Sequence, residues 1–343
     1  MSAFNLAIEL GTSNTVIYVA GLGVALKEPS CIAIETINNK RVVKCVGSEA
    51  KKLIGKTNNS IEVIFPIVEG VIQNFQLAKL MLKEFLKKVA PTGFGKPKRR
   101  VVFVHACGLT KEERNRIRDL AYSLNITSTA LIPAGVCALI GMEVEENDPN
   151  SHMVVNIGGG VTDISIINNN HIIRGATINI GGLQIDANIA DFVKQEYQVI
   201  LGDNTLEIVK NSIGSLLSND ISSINVVGLE LDTKRRKEIR IFSQEILPIV
   251  SGAFNKISEA CEALLNMCSS EVLSDINKFG VYVCGGAANI SGVDKFLSKT
   301  LNLPVYVDVD PDSSVIMGAG NLLNNQALLT RISKELKGEF NKL

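Results

Sequence analysis

The 343-residue chain has no tryptophan, only three histidines, and aromatic residues amount to 5% of it. That scarcity excludes a platform of rings on which sugars or bases stack. Charge of either sign is not in excess: 35 basic residues balance 35 acidic ones. A general nucleic-acid binder carries a basic surplus, so no nucleic-acid partner is expected. Long apolar runs are missing too; nothing approaches the roughly 18 residues of a membrane-spanning helix. The start, Met1-Ser2-Ala3-Phe4-Asn5, offers neither a basic stretch nor a small-residue cleavage site, which points to the cytoplasm. The seven cysteines, scattered from Cys31 to Cys284, form no C-x-x-C pair and read as buried thiols of a reducing compartment. With His105, His152 and His171 far apart in sequence, a zinc site lacks ligands.

What is present is hydrophobic mass. Apolar residues make up 46% and the mean hydropathy is +0.21, which rules out a disordered chain and suits a well-buried protein that self-associates. The length predicts two domains at about 150 residues each. Leu6–Leu10 and Val16–Ala20 read as strands about a tight polar turn, followed by strands at Ile32–Thr36 and Arg41–Val46. Leu77, Leu80, Met81 and Phe85 recur at helical spacing up to Val89. Val101–His105 reads as a buried strand, and Thr110-Lys-Glu-Glu113 as a capping box opening a helix to about Ser123. After the acidic, polar stretch Glu143–Ser151 the opening pattern returns: Met153–Ile157 as a strand, Gly158-Gly159-Gly160-Val161-Thr162 as the turn, Asp163–Asn168 as the next strand. Strand, glycine-bearing turn, strand thus occurs once in each half, a sign of two related domains. Further on, Gly280–Cys284 reads as a strand ending in Gly285-Gly286, Val293–Leu301 as a helix, Pro304–Val309 as a strand, and Gly318-Ala319-Gly320 as the opening of a last helix.

A Gly/Ser/Thr turn between strands converges backbone N–H groups and hydroxyls on one point, which suits an anion. Two such turns facing across a cleft can grip a polyphosphate. Neither is G-x-x-x-x-G-K-[ST] nor G-x-G-x-x-G, so P-loop and Rossmann sites are excluded.

Ile8-Glu-Leu-Gly-Thr-Ser-Asn-Thr15 resembles the first phosphate loop of the actin, Hsp70 and sugar-kinase superfamily. The stretches Gly21–Ser30, Val46–Gly55, Met153–Thr162, Ile180-Gly-Gly182, Cys284-Gly-Gly-Ala-Ala288 and Asp310-Pro311 with Gly318-Ala-Gly320 narrow the resemblance to MreB, the bacterial actin, from Asn5 to Leu323. The resemblance implies an α/β actin-like ATPase fold: two related domains divided into four subdomains around a nucleotide cleft. Domain I would take residues 1–145, with a small subdomain at about 33–75 and the C-terminal 315–343 returning to it. Domain II would take 146–314, with a small subdomain at about 183–247. Gly11, Thr12, Ser13 and Asn14 would hold phosphates from one side, and Gly158, Gly159, Gly160 and Thr162 from the other. Glu207 and Lys210 match the nucleoside-contacting pair, and their spacing puts them on one helix face. Gly285, Gly286, Ala287 and Ala288 would receive the adenosine. ATP or ADP with Mg²⁺ is the implied cofactor, with Glu9 and Asn156 reaching the metal through water.

The sequence departs from that family where the chemistry belongs. Glu9 and Asn156 stand where the family carries aspartates, and Val161 where it carries threonine. In Leu131-Ile-Pro-Ala-Gly-Val-Cys-Ala-Leu-Ile-Gly141, Ala134 occupies the place of the glutamate that orients the attacking water. Loss of a positioned base costs about 10²–10⁴-fold in rate, so ATP binding with weak hydrolysis is expected unless Glu69 or Asp163 substitutes. The alternative is a catalytically active kinase or ATPase of the superfamily.

The same resemblance implies paired protofilaments, company with paralogous bacterial actins, and a place at the inner face of the cytoplasmic membrane for cell-shape maintenance or, in wall-less helical cells, helicity and motility. Phe94, with Lys96, Lys98, Arg99 and Arg100, forms a candidate membrane contact for anionic lipid. Leu329, Ile332, Leu336, Phe340 and Leu343 form an amphipathic stripe that suits either membrane or the protein's own surface.

Overall fold

The computed structural model describes residues 5–56, 60–89, 100–126, 128–145 and 148–340. The first half opens on the hairpin of β1 (Leu6–Leu10) and β2 (Asn14–Val19) and continues antiparallel into β3 (Gly23–Pro29). It then leaves that sheet. β4 (Ile32–Ile37), β5 (Lys40–Val46), α1 (Ser48–Lys51) and β6 (Ile61–Ile64) build a small three-stranded sheet with its helix, and β7 (Ile67–Val68) pairs with β8 (Val71–Ile72). Helix α2 (Phe75–Val89) leads back to β9 (Arg100–His105), α3 (Lys111–Ser123), β10 (Ser128–Pro133) and α4 (Ala134–Gly141). The main sheet is ordered β10-β9-β1-β2-β3.

The second half repeats this plan. β11 (Ser151–Ile157), β12 (Thr162–Asn168) and β13 (His171–Ile178) form an antiparallel meander. The excursion is longer: α5 (Gly182–Glu196), β14 (Val199–Ile200), α6 (Asp203–Ile213), β15 (Ser223–Glu230), β16 (Arg236–Phe242), α7 (Ser243–Leu265) and α8 (Ser270–Phe279), with β14-β15-β16 as its small sheet. The chain returns through β17 (Val281–Cys284), a 3-10 turn at Gly286–Asn289, α9 (Val293–Leu301), β18 (Val305–Val307), α10 (Ser314–Asn324) and α11 (Gln326–Phe340). The second sheet is ordered β13-β12-β11-β17-β18, the same sequence of strands as the first.

Patterning explains the layers. On β1, Leu6 and Ile8 enter a core closed by Met81, Phe85 and Leu120 from α2 and α3, while Ala7 faces the opposite core with Val136 and Ile316. The parallel strand β9 is buried from Val101 to Val104, which is why it reads as a continuous apolar run. Helix α3 begins with the expected capping box, Thr110 with Glu113.

Two expectations change, and one open alternative is decided. Gly318-Ala319-Gly320 lies inside α10, which starts at Ser314; a Cβ at Gly318 would overlap the Cys137 carbonyl, so the glycine serves a close crossing with α4. Thr162 belongs to β12, not to the turn. Leu329 and Ile332 are buried in the core with α4, so the first turns of the C-terminal stripe dock on the protein itself.

Candidate functional site

Between the halves lies a cleft with a cavity of about 450 Å³. Its walls are the two equivalent hairpin turns. Gly11 N–H donates to the Asn14 carbonyl at 3.0 Å, and Gly158 N–H to the Val161 carbonyl at 2.9 Å, so both turns close in the same way. They face each other. A Cβ on Gly159 would overlap the Ser13 hydroxyl, and one on Gly160 would stand 2.6 Å from Thr12 Oγ1. Only residues without side chains let the two loops approach this closely. The Thr12 hydroxyl accepts from Gly70 N–H at 2.9 Å, which leaves its proton free to donate. Helix α5 begins behind the second turn, with Gly182 N–H and Leu183 N–H donating to the carbonyls of Gly158 and Gly159.

Gly11, Thr12, Ser13, Asn14, Gly158, Gly159 and Gly160 all line the cleft, as do Glu207, Lys210, Gly285, Gly286 and Ala287. Two expected contributors do not. The Thr162 hydroxyl is buried and donates to the Ile180 carbonyl at 2.7 Å, and Ala288 is buried in the second core. Gly285 has φ +89°, and a Cβ there would stand 2.5 Å from Asn156 Oδ1; the position requires glycine on both counts.

Glu207 and Lys210 share a helix face but not a partner. Lys210 is buried and donates to Asp186 Oδ2 at 2.7 Å and to the Gly182 carbonyl at 3.1 Å. Glu207 instead reaches across the cleft to Lys51 Nζ at 2.6 Å. Neither Asp186 nor Lys51 stood out in sequence, because each is more than twenty residues from its partner.

Ala134 opens α4 at the cleft wall, buried and without a polar atom in its side chain. Of the two candidate substitutes, Glu69 is engaged elsewhere and Asp163 through one of its two oxygens, its Oδ2 having no hydrogen-bond partner. Glu69 accepts from Asn179 Nδ2 at 2.9 Å. Asp163 lines the cleft, but its Oδ1 accepts from Cys107 N–H at 2.9 Å and from the Thr177 hydroxyl at 2.7 Å, and burial raises its pKa. His105 also lines the cleft; burial pushes its pKa down to about 4, so its imidazole is neutral near pH 7.

Glu9 and Asn156 both line the cleft. Burial pushes the Glu9 carboxyl up to about 7, against the opposing pull of Lys27. Among the described residues no group of three or more His, Cys, Asp or Glu converges on one point. The described residues therefore form no cage for Mg²⁺; the donors present would suit an ion held by phosphate oxygens and water, with Glu9 and Asn156 within the cleft to meet the waters.

The MreB/Mbl protein family model matches residues 3–331. The chain belongs to the MreB/Mbl family of actin-like cytoskeletal proteins. It is 34% identical over 326 residues to the cell shape-determining protein MreB of Escherichia coli K12, covering 94% of each chain. The crystal structure of MreB5 of Spiroplasma citri bound to ADP superposes with a TM-score of 0.89 at 29% identity, over 96% of this chain and 98% of that one. The same protein bound to AMPPNP gives 0.88 at 28%, over all of both chains. The fold is the actin-like ATPase fold. Of the expected membrane residues, Phe94, Lys96, Lys98 and Arg99 lie outside the described residues; Arg100 begins β9 and is half-buried. Among the described residues no helix is long and apolar enough to cross a membrane.

Proposed function

We propose that this MreB relative binds ATP and ADP between the two hairpins, assembles into paired protofilaments, and hydrolyses the nucleotide slowly. The observation that carries the reading is a pair of facing glycine turns with Ala134 at the wall where a water-orienting carboxylate is needed. Backbone N–H groups and the hydroxyls of Thr12 and Ser13 hold the phosphates; a concave set of such donors is suited to anions. Glu9 and Asn156 would orient the waters of a Mg²⁺ ion bound with the nucleotide, which would supply neutralisation of phosphate charge. With no carboxylate at the position of Ala134, the chemistry rests on positioning and electrostatics. The nucleotide then acts as a clamp on the angle between halves, because it binds the closed arrangement better than the open one.

Domain I comprises residues 1–145 with 315–343, and domain II residues 146–314. Filaments of this kind serve cell shape or motility at the inner membrane face, where Phe94 and the neighbouring basic residues touch anionic lipid, alone or together with an active paralogue. The kinase reading loses ground because Ala134 brings no carboxylate to the place of the water-orienting glutamate and Glu69 is hydrogen-bonded to Asn179. Pelleting with ATP, ADP or no nucleotide, with phosphate release followed in parallel, tests the proposal. The expected result is nucleotide-dependent pelleting with little phosphate released. Ala134→Glu should raise release by about tenfold or more; rapid release by the unaltered chain would refute slow hydrolysis.

A further inference from the structure

The floor of the cleft on the first-half side is one row of side chains across four strands. Val104 on β9 lies beside Glu9 on β1, Glu9 opposite Val16 on β2, and Val16 opposite Lys27 on β3. Residues paired this way point to the same face of a sheet, and all four line the cleft. With strands about 4.8 Å apart, Lys27 starts about 10 Å from Glu9 across the row, with the apolar Val16 on the strand between them. Leu26, its neighbour in sequence, points into the opposite core.

Lys27 and Lys210 are the lysines among the described residues that line the cleft, and no arginine joins them. Lys210 is committed to Asp186 and a backbone carbonyl inside the second half. Lys27 is committed only to Asp312 at 3.2 Å, with both side chains about 40% exposed. Asp312 also faces the cleft, with its Oδ1 2.7 Å from where a Gly286 Cβ would stand. A half-exposed pair of this kind is weak, and a triphosphate competes for the ammonium with several charged oxygens at once.

Resting on the nucleotide reading above, we infer that Lys27 is a phosphate-binding residue: its ammonium leaves Asp312 for the phosphate oxygens and acts as a fixed counter-charge that lets the cleft hold nucleotide without a divalent ion. The sequence hid it because Lys27 enters the site only through the register of β1, β2 and β3.

The test measures affinity of the full chain for ATP, ADP and adenosine by calorimetry, in EDTA and in Mg²⁺. The unaltered chain should keep ATP in EDTA. Lys27→Gln should lose about tenfold in ATP affinity there, the size of one charge-assisted hydrogen bond, with a smaller loss in Mg²⁺ and none for adenosine. Lys27→Arg should stay within about threefold of the parent, since the charge is kept. Asp312→Asn should strengthen ATP binding by freeing the ammonium. Equal ATP affinity of Lys27→Gln and the parent in EDTA would overturn the inference. So would an equal loss for adenosine, or an Asp312→Asn variant that weakens along with Lys27→Gln, since the ion pair would then be structural. If the parent binds neither nucleotide even in Mg²⁺, the reading of the cleft fails; if the parent binds and Lys27→Gln is unchanged, only the role of Lys27 fails.

Discussion

The two five-stranded sheets share strand order, hairpin closure and position at the cleft, yet their equivalent floor residues differ. Where the first half presents Val104, Glu9, Val16 and Lys27, the second has Cys284, Asn156, Asp163 and Thr177 in the matching register, of which Asn156 and Asp163 line the cleft. The first row is a carboxyl and an ammonium separated by a valine. In the second, the Thr177 hydroxyl donates to Asp163 Oδ1 and fixes that carboxyl in place. The backbone repeat preserves what phosphate needs, which is glycine turns and N–H groups. Side-chain charge has been left free to diverge, because it depends on one residue at a time. Both halves meet the ligand through their turns; the first adds a half-exposed charged side chain to the floor, and the second a more rigid, hydrogen-bonded one.

The sharpest way to break that contrast is to disturb the rigid half. Lys210→Met leaves Asp186 buried beside the second hairpin without its cation, and removal of one partner of a buried pair costs about 3–5 kcal/mol. Urea denaturation should show a loss of that order, and a loss below about 1 kcal/mol would mean that the second half is not stiffened by this pair. Next in size is the crossing of α4 and α10, the equivalent helices that end each half. Gly318→Ala sets a Cβ against the Cys137 carbonyl, and Gly141→Ala sets one against the Ser314 carbonyl. Either should cost about 3 kcal/mol by overpacking, read as a lowered thermal midpoint.

Acid should separate the halves as well. β9 ends in His105 where the second sheet has Gly285 at the corresponding place. Burial lowers the folded pKa of His105 from 6.5 to about 4. The unfolded chain therefore takes up this proton first as pH falls. The contribution is fully present above about pH 6.5 and is lost progressively down to about pH 4, amounting to about 3 kcal/mol. His105→Gln should flatten the stability profile in that window; an unaltered slope would remove His105 as its source. The smallest effect belongs to the bridge across the cleft mouth. Glu207→Gln removes a partly exposed pair with Lys51 and should change stability by less than about 1 kcal/mol, while nucleotide exchange, followed by a fluorescent analogue, should quicken.

Much of the architecture was readable before any coordinates. The amphipathic spacing that begins α2 and the capping box of α3 are local signals, and both elements stand where the pattern put them to within two residues. The two glycine turns were also legible, because hairpin closure depends on a handful of adjacent residues. The glycines inside α10 read in sequence as a helix start, since a glycine demanded by a neighbouring backbone looks the same there as one demanded by a turn. Thr162 was assigned to the turn because the strand boundary falls one residue earlier than its apolar run suggests.

By itself, then, the amino-acid order determined which stretches are strands or helices, that a glycine turn recurs in each half, and that Ala134 brings no carboxylate to its position, because each of these is a property of near neighbours. Folding alone decided that Lys27 comes onto the floor of the cleft, that Lys210 goes to Asp186 and Glu207 to Lys51, and that one oxygen of Asp163 is taken by Cys107 and Thr177. Those contacts join residues 14 to 156 positions apart, and strand register and helix docking, which no local pattern encodes, set which of them meet.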